Sequence, residues 1–245
     1  MDYLGWLIVG AFVVGMSKGG LASAAAVVVP ALALTMGPIQ AAALLLPVYI
    51  VTDWVAVWLY RRDFSARNVA ILAPAMLAGT LVSTLAIPYV APELLLLVTG
   101  LIGLWYCGRN WLGGGHGPAR PARILPGLFW GVLTGISSFI THSGSPPSQA
   151  YLLPQRLPKL ELAGTIAIIF AIGNLSKLPG YWALGQFDDI DWHLLAYLAV
   201  AGIAGTAAGR WLVARLSDRA YIRVIEAMLF ALSLLLIWKG LVPFL

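Results

Sequence analysis

Apolar stretches long enough to cross a lipid bilayer recur from one end of this chain to the other, and no other sequence feature constrains its fold as strongly. A helix needs about 20 apolar residues to traverse the hydrocarbon core. Full-length candidates lie at residues 38–60, 67–88, 92–111, 162–184, 192–214 and 220–242. Only 10% of the 245 residues are charged, whereas a soluble domain carries roughly 25%, so lipid must cover most of the exterior. The expected fold class is all-α, a polytopic transmembrane helical bundle. No basic segment or cleavage site precedes the first apolar run, so no removable targeting peptide is expected. The single cysteine, Cys107, can form no intrachain disulfide and reads as a small apolar residue within a helix. A net charge of +5 does not point to nucleic acid. The basic residues stand singly or in short groups between apolar segments, the arrangement that sets membrane topology.

Two apolar regions depart from the pattern. Residues 4–36 are too long for one span and break at Ser17-Lys18-Gly19-Gly20. Residues 124–157 break at Thr141-His142-Ser143-Gly144-Ser145-Pro146-Pro147. Each reads as two short helices joined at a polar, glycine-bearing elbow. Loop charge then assigns sides. Arg61, Arg62 and Arg67, then Arg109, Arg120 and Arg123, then Arg156 and Lys159, and finally Arg210, Arg215, Arg219 and Arg223 mark cytoplasmic loops. Loops 88–93 and 185–191 carry Glu93, Asp188, Asp189 and Asp191 without Lys or Arg, and read as external. These sides agree when each broken region enters and leaves on one face. The expected bundle has six full spans plus two re-entrant helical hairpins, with both termini outside.

The two halves also match each other. A shift of 124 residues sets Ser17-Lys18-Gly19-Gly20 on Thr141-His142-Ser143-Gly144, Pro30 on Pro154, Trp58 on Trp182 and Asp53 on Lys177. Equivalent loops carry opposite charge, so the repeats are inverted, the plan of many secondary transporters. The N-terminal repeat is expected at 1–112 (hairpin 4–36 and three spans), a cytoplasmic linker at 113–123, and the C-terminal repeat at 124–245 (hairpin 124–157 and three spans).

Non-helical backbone at membrane depth survives only where protein or a water-filled cavity satisfies it, so both elbows are expected near the midplane. A short helix should start after each, at about Gly19 and about Pro146, with Ser145 as N-cap. Two positive helix ends meeting there would make an anion site. Ser17, Thr141, Ser143 and Ser145 add hydroxyls, Lys18 and His142 add positive charge, and Gly19, Gly20 and Gly144 let backbone approach a ligand. A lysine at the bilayer centre costs ~2.5–3.5 kcal/mol on insertion scales, so Lys18 should contact the anion, neutralise Asp53 or cap carbonyls. His142 reads equally as a neutral tip residue or as a substrate contact or proton carrier. His116 and His193 read as solvated. Asp53 and Lys177 form either buried ion pairs or, in the sharper alternative, a proton-linked carboxylate and a cavity cation. Lys177 follows Asn174 and Ser176 in a span carrying Pro179-Gly180, where locally unwound backbone is expected. Packing against a cytoplasmic arginine would account for Glu226. Gly202-x-x-Gly205-x-x-x-Gly209 predicts close helix packing.

At the elbows the sequence resembles the TauE/SafE family of sulfite and organosulfonate exporters, within the wider four-toluene-sulfonate uptake permease-like superfamily. The matching stretches are Gly15-Met16-Ser17-Lys18-Gly19-Gly20 to Pro30, and Gln40 to Arg62 with Leu46-Pro47 and Asp53. In the second half they are Gly144-Ser145-Pro146-Pro147, Tyr151-Leu152-Leu153-Pro154-Gln155-Arg156, and Gly164-Thr165 to Asn174, Lys177 and Tyr181. The resemblance implies a multi-pass carrier of the cell inner (cytoplasmic) membrane that exports sulfite, a sulfoacetate-like sulfonate or a related small anion. Ser143-Gly144-Ser145 and Ser148-Gln149 depart from the family pattern by being more polar, and are expected to bind a second polar group such as a carboxylate. The expected substrate site, between the two hairpin tips, thus comprises Ser17, Lys18, Gly19, Gly20, Thr141, His142, Ser143, Gly144, Ser145, Ser148, Gln149, Asn174 and Lys177, with Asp53 as coupling or ion-pair group. An anion channel, an uptake carrier for thiosulfate, or an intramembrane enzyme are the competing classes. The chain has no His-rich metal cluster, no Ser/His/Asp set and no paired aspartate motif, so neither catalysis nor a metal or cofactor is expected. The expected partners are a small anionic substrate and the lipid bilayer, not nucleic acid, and a homodimer is compatible with the sequence.

Overall fold

The computed structural model describes residues 3–28, 38–86, 91–112, 118–141, 143–183 and 191–242. All regular structure among them is helical: α1 (Tyr3–Lys18), α2 (Pro38–Tyr60), α3 (Ala66–Ala86), α4 (Pro92–Leu112), α5 (Ile124–Thr141), α6 (Ser145–Leu152), α7 (Lys159–Ala183), α8 (Trp192–Arg215) and α9 (Asp218–Leu241). Short 3-10 segments follow α1 at Ala24–Val27 and α6 at Leu153–Gln155. The six long helices α2, α3, α4, α7, α8 and α9 stand where the six apolar segments predict them, and the shortest have 21 residues. At 1.5 Å per residue such a helix is about 31 Å long, close to the ~30 Å of a hydrocarbon core. Among the described residues, Ala66–Leu85, Lys159–Trp182, Trp192–Arg215 and Asp218–Leu241 are long and apolar enough to cross a membrane.

The distribution of side chains is that of a protein dissolved in lipid. Large apolar residues face outward, among them Trp54, Trp58, Leu81, Leu85, Trp182, Val200 and Trp238, all more than 60% exposed. Charged and polar groups lie inside, including Asp53, Asn174, Lys177, Ser148 and Gln149. A water-soluble protein rarely exposes apolar patches of this extent, and buried ionisable groups in apolar helices mark function by default.

The chain forms two compact units, and each draws on both halves of the sequence. One comprises Met1–Phe64 with Lys159–Ser217, the other Ser65–Pro158 with Asp218–Leu245. In the first, α1 packs along α8, and α2 packs on α7 and α8. In the second, α3 packs along α5, α4 along α9, and α6 against α4 and α5. Glycines make the long pairings close, as predicted for Gly202, Gly205 and Gly209. A Cβ at Gly205 would overlap the Phe12 carbonyl oxygen, and one at Gly209 would lie 2.6 Å from that of Met16. In the second unit a Cβ at Gly135 would overlap the Met76 carbonyl oxygen, and one at Gly131 would lie 2.6 Å from the Ala75 Cβ. In lipid such backbone approach substitutes dispersion contacts for the missing hydrophobic drive.

Two local expectations are corrected. The helix after the first elbow does not start near Gly19. α1 runs to Lys18, Gly19 and Gly20 form a turn, and helical backbone resumes only at Ala24. Nor is the backbone unwound at Pro179-Gly180, because α7 is helical through Pro179 to Ala183. A proline removes one intrahelical hydrogen bond, and apolar helices absorb that loss by small local adjustments.

Candidate functional site

The first unit gathers charged residues from three helices into one buried network. Lys18, the last residue of α1, places Nζ 2.7 Å from Asp53 Oδ1. Asn174 of α7 donates from Nδ2 to Asp53 Oδ2 at 2.7 Å, and Lys177 donates from Nζ to Asn174 Oδ1 at 3.0 Å. The sequence Lys18–Asp53–Asn174–Lys177 is thus continuous. The amide is suited to its middle position, because a neutral side chain with both donor and acceptor can join a carboxylate to an ammonium. Lys18 Nζ also lies 4.9 Å from the centroid of the Tyr49 ring and 5.8 Å from that of Phe170, where ring quadrupoles attract a cation. At the C-terminal end of α1 its charge complements the helix dipole. Of the roles expected for Lys18, this structure shows the pairing with Asp53. Lys18 meets the carboxylate directly, and Lys177 is linked to it through Asn174.

The elbow around this network is held by backbone requirements. Tyr60 donates its hydroxyl proton to the Gly19 carbonyl at 2.6 Å, and Ser17 donates to the Ala22 carbonyl at 3.2 Å. A Cβ at Gly19 would overlap the Thr206 carbonyl oxygen of α8, so this glycine admits a neighbouring helix. Gly20 has φ +125°, a conformation side chains with a Cβ rarely adopt. Both glycines, predicted to let backbone approach a ligand, are explained by the turn and by helix packing.

The second elbow belongs to the other unit. His142 and the Thr141 side chain lie outside the described residues. Ser143 and every residue of α6 are buried. Helix α6 starts at Ser145, with Gly144 rather than Ser145 as N-cap. The expectation of an anion-binding helix start is weakened by its own sequence. Pro146 and Pro147 have no N–H, and the Ser148 N–H is directed at the Gly144 carbonyl at 3.4 Å. Ser148 Oγ donates to the Gly144 and Ser145 carbonyls at 3.0 and 2.9 Å. Its proton is thereby committed to the helix, which leaves lone pairs rather than a donor for an anion. Gly144 has φ −71°, open to any residue.

Other residues carry structure that sequence reasoning missed. Asn68 and Gln155 exchange reciprocal hydrogen bonds at 2.9 and 3.1 Å, tying α3 to the 3-10 segment after α6. Glu226 accepts from Asn110 at 2.5 Å and from Trp111 Nε1 at 3.3 Å. Its hydrogen-bond donors are therefore neutral residues of α4, and among the described residues it forms no ion pair with an arginine. Arg210 pairs with Asp63 at 3.5 Å and lies over the Tyr60 ring. Tyr49 was findable, because it stands four residues before Asp53 on α2 and so shares its face.

A family model described as Sulfite exporter TauE/SafE matches residues 7–236. No curated protein and no solved structure matches the chain.

Proposed function

The chain belongs to the TauE/SafE sulfite exporter family, and from that premise we propose that it is a secondary carrier of the inner membrane exporting sulfite or a small organosulfonate such as sulfoacetate. The observation that carries this reading is the buried Lys18–Asp53–Asn174–Lys177 network. Two ammonium groups held in a low-dielectric interior around one carboxylate are a place where a small anion is stabilised. Binding would draw Lys18 or Lys177 partly away from the carboxylate and so couple occupancy to the helices α1, α2 and α7 that hold them.

Helix pairing supports inverted repeats. The shift of 124 residues carries α1 onto α5, α2 onto α7, α3 onto α8 and α4 onto α9. It converts the α1–α8 pairing into α5–α3 and maps the α2–α7 and α4–α9 pairings onto themselves. Trp58 and Trp182, equivalent under the shift, are both exposed. The hairpin helices also fit re-entrant segments. The 16 residues of α1 reach only about 24 Å, short of the ~30 Å core. Export by alternating access needs no coupling ion where concentrations permit, since an interior-negative potential favours anion efflux by ~2.3 kcal/mol per charge per 100 mV.

The test is flux of sulfite, sulfoacetate, taurine and thiosulfate in proteoliposomes, with and without a pH gradient. Sulfite or sulfoacetate should move, and Lys18→Ala should abolish flux of every substrate carried. Normal transport by folded Lys18→Ala would remove the network from the substrate path.

A further inference from the structure

The second unit contains a cavity of about 580 Å³, separate from the lysine network and distinct in chemistry. Five arginines line it: Arg109 from α4, Arg120 from the segment before α5, Arg156 from the end of the 3-10 turn after α6, and Arg219 and Arg223 from α9. Only two acids, Asp218 and Glu226, share the lining, which leaves an excess of three positive charges. Glu226 is occupied by Asn110 and Trp111. Among the described residues, Arg109, Arg120, Arg219 and Arg223 make no ion pair. Loop charge alone would place arginines along one face of the membrane; it does not require four chain segments to deliver them into one concavity.

Two further features point to a ligand. Arg156 has φ 53°, the only positive φ at a residue other than glycine among the described residues. Such backbone concentrates at functional positions. One wall is an aromatic shelf: Trp105 stacks on Trp130 with centroids 6.3 Å apart, and the Arg109 guanidinium lies over Trp105. The volume falls in the roughly 300–1,000 Å³ range of ligand pockets and is far more than one small oxyanion fills. Guanidinium groups bind phosphate oxygens in bidentate fashion. Tryptophans favour the bilayer interface, and basic pockets between helices on the cytoplasmic side take acidic lipid headgroups.

We propose that this arginine-lined cavity binds a bis-phosphate group, with a diacidic phospholipid of the cytoplasmic leaflet as its source. Two phosphates would be shared among the arginines, while the apolar acyl body lies on the Trp105–Trp130 shelf. A soluble bis-phosphate has the same recognition chemistry without the apolar body, so the test carries an arm for each.

The purified protein, in nanodiscs of phosphatidylcholine doped with cardiolipin, is examined by native mass spectrometry for retained lipid. In detergent, binding of inorganic pyrophosphate is measured by calorimetry. Cardiolipin should be retained over phosphatidylcholine, and Arg219→Gln/Arg223→Gln should weaken retention about tenfold or more, as expected for losing charge-assisted phosphate contacts. Arg61→Gln/Arg62→Gln, which removes the same charge from a loop of the other unit, should leave retention unchanged. Thermal unfolding confirms that both variants are folded. Equal loss in the two double variants, or no cardiolipin preference together with no pyrophosphate binding, would overturn the site. Arginine-dependent pyrophosphate binding without cardiolipin preference would retain the bis-phosphate site and overturn its lipid source.

Discussion

Lys18 and Asp53 are held in a buried pair whose second oxygen is taken by Asn174. Removing one member of such a pair leaves an uncompensated charge, at a cost of about 3–5 kcal/mol, whereas replacing both with apolar or neutral groups is far less damaging. Asp53→Asn, which leaves both lysines without a counter-charge, should therefore lower the thermal unfolding midpoint more than Lys18→Met/Asp53→Asn does, while both lose flux. A double variant that is as unstable as the single one would show that the pair is not energetically coupled. The same logic applies to Asn68 and Gln155, whose amides satisfy each other. Asn68→Ala leaves Gln155 Oε1 without its donor, while Nε2 keeps the Tyr151 carbonyl, and should destabilise by about 1–3 kcal/mol, with Asn68→Leu/Gln155→Leu recovering part of the loss in the same denaturation assay. None of these partners is adjacent in sequence. The sequence marks Lys18, Asp53, Asn174 and Lys177 as anomalies because charge and amide are rare in apolar helices, but it does not say which one touches which.

At the scale of elements, glycine position decides which helices pair closely. Gly205 faces the Phe12 carbonyl with no room for a side chain, whereas Gly108 on α4 has nothing within 4 Å of an added Cβ. Gly205→Leu should abolish the α1–α8 contact and the yield of monodisperse protein on size-exclusion chromatography. Gly108→Ala should be tolerated and stabilise by up to about 1 kcal/mol through helix propensity. A folded, active Gly205→Leu variant would contradict the packing described. The glycine spacing on α8 was legible because it repeats at helical intervals in an otherwise apolar run. The start of α6 was legible only in part: its serines suggested an anion cradle, yet two consecutive prolines subtract the N–H groups such a cradle needs. The register of a turn decides whether polar residues there serve a ligand or the backbone, and at Ser17 and Ser148 the backbone takes the proton.

For the whole molecule, the proposed arrangement of six crossings and two re-entrant hairpins makes a prediction about sides. In a Cys107→Ala background, cysteines introduced at Ser65 and Ser217, in the loops after α2 and α8, should react with an impermeant maleimide only from the cytoplasmic face. Cysteines at Ala91 and Asp191 should react only from outside. Labelling of Ser65→Cys and Ser217→Cys from opposite faces would replace the second re-entrant hairpin with an ordinary span. The two halves of the sequence are interleaved, each compact unit taking helices from both. Substitutions that alter one unit therefore act on segments far apart in the chain.

Length, apolarity and loop charge are properties a chain carries before it folds. From them alone the sequence determined the solvent, the six long helices and the two broken regions, because a bilayer sets a fixed thickness and forbids unsatisfied backbone. Tertiary structure decided the rest. It paired α1 with α8 and α3 with α5, and brought residues 18, 53, 174 and 177 into one hydrogen-bonded series. It also gave Glu226 its neutral donors and gathered arginines from four segments around one cavity. In an apolar medium a polar side chain must find a partner wherever the packing of helices supplies one. That partner is set by which faces meet in space, which no spacing along a single chain encodes.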